Sequence, residues 1–554
     1  MVKSILYIFL CFIFSTLPLL AQNTVGLLSY NPAKAFEGYN LLYPHNQASV
    51  FLIDNCGQIV NVWTDENPNM RPGNTAYLLE NGNIVITKRL NTAVNEPVWA
   101  GGGGAIVEIR DWENKLLWRF DYADSFRRLH HDIRPMPNGN VLMISWENKT
   151  REEAIQVGRN PDLITQNQVW PDYIIEVDPS NSQIVWEWHA WDHLIQDFDA
   201  AKANFGVVAD HPELIDFNYD TSDGHPDWMH TNAIDYNAVL DQIVISVPTF
   251  DEIWVIDHST TTAEAAGHTG GKGGRGGDLL YRWGNPAAYR AGDLADRQLF
   301  YPHDISWVDN FISPSHPHYG KFSVFNNRID TKYSTINVFD PAFDSNTWSY
   351  PMQNNRWLPL ASDIILTHPD TFQINSNGLS SVQLLPNNNI LICSGRWGYT
   401  FELTPENEIV WEYKTPLSGG SAVSQGTTLD IGTNVTFRMT RYPADYPAFE
   451  GKDLAPKGYI EANPDLTFCE RVTSLDDPVR NDLLEIYPNP AKSQLVMNWQ
   501  DINDEKVDIF NALGQKIKSV NINNGSNYLD VTNWQPGVYY IKFSNAVAQK
   551  IIIQ

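Results

Sequence analysis

The chain has 554 residues, with 65 acidic against 38 basic side chains and a formal net charge of −27. Hydrophobic residues make up 43% and charged ones only 19%, which excludes a disordered polyelectrolyte. The acidity argues against a nucleic-acid-binding surface, which needs a basic stripe to neutralise phosphates.

Residues 1–21 read as a secretory signal. Lys3 gives the positive start, Ile5 to Leu20 is apolar apart from Ser15, Thr16 and Pro18, and Ala21 offers a small residue for cleavage. An uncleaved anchor is the alternative. No later window approaches the ~20 apolar residues of a membrane span, so the mature chain is expected to be exported and soluble. Cys11 leaves with the signal. Cys56, Cys393 and Cys469 remain, enough for one pair and one free thiol with three choices of pair, and without zinc-site spacing.

Between residues 45 and 445 short alternating segments replace helical periodicity. Those at 49–53, 105–109, 173–177, 252–256 and 399–403 are predicted strands. The first, third and last run through a polar turn into a second strand ending in an aromatic, as at Trp63, Trp186 and Trp411. A second hairpin alternates with the first. Segments 80–86, 137–143 and 386–392 share one phrase, an Asn-rich turn followed by an apolar run, and 236–246 fills the same slot. Two hairpins per repeat make four-stranded sheets. Several in series predict an all-β chain folded as a six-bladed β-propeller over 22–475. Insertions fall at 189–226 and 262–300, the latter opening with a run from Gly267 to Gly277 that is expected to be flexible.

Over 482–554 the pattern becomes a small β-sandwich. Its phrases are Ile486-Tyr487-Pro488-Asn489-Pro490, Asn511-Ala512-Leu513-Gly514 and Pro536-Gly537-Val538-Tyr539-Tyr540. This tail resembles the C-terminal sorting domain of the type IX secretion system. The resemblance implies recognition by that machinery and transfer through the periplasm and outer membrane, to the cell surface or beyond it.

Histidines carry the candidate chemistry. His130-His131-Asp132, Met229-His230-Thr231 and His303-Asp304 each open the first strand of a repeat, at the same end. Inner strands of a propeller line one central channel, so His131, His230 and His303 are expected to meet there. Convergent imidazoles can bind metal, act as nucleophile and acid/base, sense pH, or cap strand ends. Asp132 and Asp304 fit a structural role inherited by the repeat.

With these phrases, and with Pro137-Asn138-Gly139-Asn140, Tyr281-Arg282-Trp283-Gly284-Asn285-Pro286 and Arg441-Tyr442-Pro443-Ala444-Asp445-Tyr446-Pro447, the chain resembles the bacterial arylsulfate sulfotransferases over most of 25–450. Those are exported six-bladed propellers that work without the nucleotide sulfate donor. The resemblance implies a ping-pong exchange in which a histidine takes the sulfuryl group from an aryl sulfate and passes it to a phenol. No cofactor and no metal are implied. His303 matches the family's nucleophile, His230 and His131 its supporting histidines, and His130 is the alternative to His131 within the doublet. The family's arginine after the strand following the second histidine is absent, since that position reads Ser246-Val247-Pro248-Thr249. Arg396, after the equivalent strand of another repeat, is the candidate replacement for a bidentate sulfonate donor. Trp228, Tyr301 and Trp397 adjoin candidate residues and are expected to bind the aryl ring. Two rival functions are a catalytically inactive surface propeller binding carbohydrate or protein, and a lyase or hydrolase holding a metal on the three histidines.

Overall fold

Asn- and Asp-rich turns fold as tight antiparallel hairpins, with Gly82, Gly139 and Asn388 supplying the positive φ at the second hairpin of three repeats. The computed structural model describes residues 23–67, 69–90, 98–329, 333–470, 484–499, 505–511, 515–542 and 549–554. The expected signal at 1–21 lies outside them. No helix among the described residues is long and apolar enough to cross a membrane.

Two units divide near Phe468. The first holds six antiparallel sheets of four or five strands. Their inner strands are Met70–Leu78, Arg127–Pro135, Ala233–Asn237, Pro302–Trp307, Ser381–Leu384 and Thr436–Pro443. Each touches the next, and the sixth touches the first, closing a ring of six blades. Two strands distant in sequence make the closure. Thr436–Pro443 is the inner strand of the sheet begun by Gly38–Pro44, with Leu42 opposite Met439. Gly26–Tyr30 adds an outer strand beside Ile409–Lys414.

Second strands such as Gln242–Val247 are buried along their whole length, whereas outer strands such as Gln183–His189 alternate. Neighbouring sheets share their cores: Leu142, Ile144 and Ile174 pack with Ile243, Ile245 and Trp254. Each such aliphatic side chain contributes about 1.5–3 kcal/mol of burial. Outer-strand tryptophans clasp blade to blade. Their indole N–H groups donate from Trp63 to Asp111 O (2.9 Å), Trp118 to Ser182 Oγ (2.9 Å), Trp186 to Thr260 Oγ1 (3.2 Å), Trp283 to Pro359 O (2.5 Å) and Trp411 to Asn55 O (2.8 Å).

The cysteines form one of the three allowed pairs, whereas the glycine run departs from expectation. Cys56 and Cys469 are disulfide-bonded, leaving Cys393 as the buried free thiol, whose pKa burial pushes up to about 12. The run Gly267–Gly277 is not a floppy insert: Gly276 N–H donates to Gly270 O and Gly277 N–H to Gly267 O, both at 3.0 Å, folding it into a closed knot.

The second unit is a three-stranded sheet and a four-stranded sheet around Leu495, Met497, Val507, Ile509, Leu529, Ile541 and Ile551.

Candidate active site

Bulges on the inner strands re-aim side chains toward one end of the ring. Leu129 faces Ser145 and Ile133 faces Met143, so two extra residues are accommodated around His131. One extra residue lies between His303 and Ser306. His131 (φ 50°) and His230 (φ 56°) adopt the left-handed backbone that glycine favours, while Tyr301 and Asp304 do so on either side of His303. Such non-glycine positions cost about 1–3 kcal/mol each and persist where surrounding structure enforces them.

The three histidines line one cavity of about 310 Å³ together with Arg89, Arg328, Arg396, His45, Asn74, Trp99 and Tyr301. Among the described residues, no carboxylate lines it. A chain with 65 acidic residues thus keeps this pocket cationic. The His131 and His230 rings meet edge to face with centroids 4.5 Å apart, and Tyr301 bridges toward both His230 (6.0 Å) and His303 (5.8 Å). Gly102 forms the wall against His131. A Cβ there would lie 2.0 Å from His131 Nε2, and its φ of +83° is a second reason for glycine.

Each histidine has a different partner at Nδ1. His303 Nδ1 lies 2.8 Å from Asn327 Oδ1. Asn327 Nδ2 donates to Ser376 O and Leu379 O, which fixes the amide with Oδ1 toward the ring. An acceptor at Nδ1 places the ring proton there and leaves the Nε2 lone pair. Burial, with His230 adding to it, lowers the His303 pKa to about 3, so the ring is neutral. His131 is held well below the usual range by burial and by the neighbouring histidines.

His230 goes the other way. Burial alone lowers its pKa, but the Asp227 carboxylate bonded to Nδ1 outweighs that, and the net shift is upward. Asp227 is braced by Trp146 Nε1–H at 2.8 Å. One imidazole poised to carry a proton therefore sits among neutral ones, the separation that acid–base chemistry uses.

Cations arrive from a second set of positions. Arg89 ends Ile84–Leu90, while Arg328 and Arg396 follow Phe322–Asn326 and Ile390–Ser394, so all three leave second strands at the same end of the ring. Arg328 covers the Tyr301 ring at 3.4 Å from its centroid. The Arg396 Nε is buried with no protein partner. His45, directly after the corresponding second strand Gly38–Pro44, is lowered to about 4 by burial and by Arg89 and Arg396. Arg71 and Arg128 crowd further positive charge onto Arg89.

Of the sequence-predicted residues, the structure brings together His131, His230, His303, Tyr301 and Arg396. Three others lie elsewhere. His130 points away from the cavity, stacks on Trp146 (4.0 Å, 7°) and contacts His131 Nδ1 through its own Nδ1 at 2.9 Å, so its place is behind His131 rather than on a ligand. Trp228 is packed among Phe217 and Phe250, with Nε1 donating to Tyr219 O. Trp397 is a neighbour of Arg396 but turns outward, donating to Asn375 O. Adjacency in sequence misleads here because successive residues of an extended or tightly turning chain point apart. Asp132 and Asp304 hold the ring together. Asp132 Oδ2 accepts from Ile234 N–H and Asp304 Oδ2 from Val382 N–H in the next blades, and Arg438 bridges the two carboxylates at 2.7 and 2.6 Å.

Arg89, Arg328, His45, Asp227 and Asn327 were not singled out in the sequence. The available signal was the position just after a repeat's second strand, applied to Arg396 but equally valid for Arg328. For Asp227 it was the three-residue spacing before His230.

Among the described residues, the His/Cys/Asp/Glu group whose ligand atoms gather within 4.8 Å is His193, His268 and Asp278, not the three cavity histidines. The His-metal enzyme expectation finds no such grouping at this site.

Residues 28–264 match the family model described as arylsulfotransferase (ASST), and residues 485–554 match that of the secretion system C-terminal sorting domain. Comparison with curated proteins returns no match. Solved structures similar to the chain include a Bacteroides caccae protein of unknown function (11% identity, 73% of this chain and 98% of that one, TM-score 0.38). A virginiamycin B lyase from Staphylococcus aureus is another (9% identity, 75% and 98%, TM-score 0.32). The first unit is thus similar to the arylsulfotransferase (ASST) family over 28–264, and the sorting-domain match over 485–554 marks the chain for the cell surface or the outside of the cell.

Proposed function

We propose that the protein moves a sulfuryl group from an aryl sulfate to a phenol by a ping-pong exchange through a sulfohistidine at His303. The observation carrying this reading is the neutral His303 ring, its proton fixed on Nδ1 by Asn327, in a cavity lined by Arg89, Arg328 and Arg396.

In the first half-reaction the Nε2 lone pair of His303 attacks sulfur as the sulfur–oxygen bond to the aryl group breaks. The departing phenolate takes the Nε2 proton of His230, whose charge Asp227 supports. Sulfuryl transfer, like phosphoryl transfer, proceeds through a loose transition state, so most of the work is positioning and neutralising oxygen charge. Arg328 and Arg396 serve that role for the nonbridging oxygens, and Tyr301 offers its ring to the aryl group. In the second half-reaction an acceptor phenol returns its proton to His230 as its oxygen takes the sulfuryl group, and neutral His303 is restored.

Incubation with p-nitrophenyl sulfate tests this directly. Nitrophenol release should require a phenol acceptor, and His303→Asn should abolish it. Binding of the ester without turnover, across several acceptors, would instead favour the inactive binding propeller.

A further inference from the structure

We propose that His193, His268 and Asp278 form a binding site for a divalent transition-metal cation, zinc foremost, which ties together the two insertions of the propeller. The site is independent of the cavity histidines. His193 ends the turn Ala190–His193 in the first insertion, and His268 and Asp278 flank the glycine knot of the second.

The three ligand atoms lie within 4.8 Å of one another. Asp278 Oδ1 is 2.8 Å from His193 Nδ1 and 2.7 Å from His268 Nδ1. The other nitrogen of His193 is committed, since Nε2 lies 2.9 Å from Ala265 O. A carbonyl can only accept, so Nε2 carries a proton, and Nδ1 is the ring atom left to serve as a ligand beside Asp278. Outer partners of this kind orient metal-ligating imidazoles. Trp188 stacks on the ring (5.6 Å, 5°) and donates its Nε1–H to Gly277 O at 2.7 Å. Gly277 closes the back of the site, because a Cβ there would stand 2.6 Å from His193 Nε2 and 2.0 Å from Ala265 O.

The His193 side chain is fully buried (0% exposed), and its Nδ1 faces a carboxylate oxygen. Two electron-rich atoms held together away from water need positive charge between them. Two imidazoles and one carboxylate favour zinc over calcium or magnesium, which prefer all-oxygen shells. His268 is 61% exposed, so water can complete a four-coordinate shell.

The test uses the full chain without an affinity tag, equilibrated with zinc chloride, desalted, and measured for bound metal and for thermal unfolding with and without chelator. Wild type should retain about one zinc per chain and lose several degrees of Tm on chelation. His268→Ala, a change at an exposed ring, should lower zinc affinity about tenfold or more while nitrophenyl sulfate turnover stays as in wild type. Asp278→Asn should weaken retention as well. A folded wild type that retains no zinc and shows no shift overturns the site, leaving an imidazolium–carboxylate pair. Unchanged retention in His268→Ala overturns it too.

Discussion

Asn327 holds His303 by its Nδ1 at 2.8 Å while spending its own amide protons on Ser376 O and Leu379 O, in the loop leading to the next blade. The His303 tautomer is therefore set by a contact between blades. Replacing Asn327 with Leu removes the acceptor and lets the proton move to Nε2. The expected result is a fall in kcat of about 10²-fold with little change in the donor KM. Steady-state kinetics check this, with His303→Asn as the fully inactive reference.

The Asp227–His230 pair predicts a dependence on the leaving group. Asp227→Asn takes away the support that holds the His230 pKa up. Loss of the acid matters most for basic leaving groups, so turnover of phenyl sulfate should fall about 10²–10³-fold while p-nitrophenyl sulfate is affected far less. Equal losses on both esters would assign Asp227 to structure alone.

Arg396 carries an unpartnered buried Nε at the cavity. Arg396→Ala should raise the KM for aryl sulfate by about tenfold or more and weaken inhibition by inorganic sulfate. Arg396→Lys should recover only part of this, since a point charge does not reproduce a planar fork. The measurement is KM and the sulfate inhibition constant at fixed ionic strength.

Stability should fall on acidification because His303 resists protonation. Its folded pKa is about 3 against about 6.5 for an unfolded histidine. Between those values the unfolded chain binds the proton that the folded one refuses. Stability due to this group is thus intact above pH 6.5 and declines as pH drops, by about 2 kcal/mol at pH 5. His230, shifted up, and Asp304, pushed up to about 6 by burial against the pull of Arg438, act in the opposite sense. The difference in Tm between wild type and His303→Asn isolates the effect and should move in the variant's favour from pH 7 to pH 4.

The repeated hairpins were legible because a period of two with Asn-rich turns has one physical reading. Matched positions of His131, His230 and His303 were legible for the same reason, as equivalent strand ends share one place in a closed ring. The cationic wall was harder. Arg89 and Arg328 are far from the histidines in sequence and reach the cavity only because an antiparallel hairpin returns its second strand to the end where the first began. Trp228 misled, since it packs between Phe217 and Phe250 while His230, two positions on, faces the cavity. In the sequence the outer-strand tryptophans show only as aromatics that end a hairpin. Its further role, donating to the next blade, depends on a packing partner that no single repeat contains.

Ring closure has a consequence for when the protein becomes competent. The innermost strand of the first blade is Thr436–Pro443, and Arg441 Nε donates to Asn40 Oδ1 across 401 positions at 2.7 Å. Contacts so distant form late, after the intervening blades have reduced the search. Before that closure the blades form an open row, with His45 and Arg89 near its start apart from Arg396 near its end. The complete cationic cavity is therefore a property of the closed ring alone, assembled only once Thr436–Pro443 has paired with Gly38–Pro44.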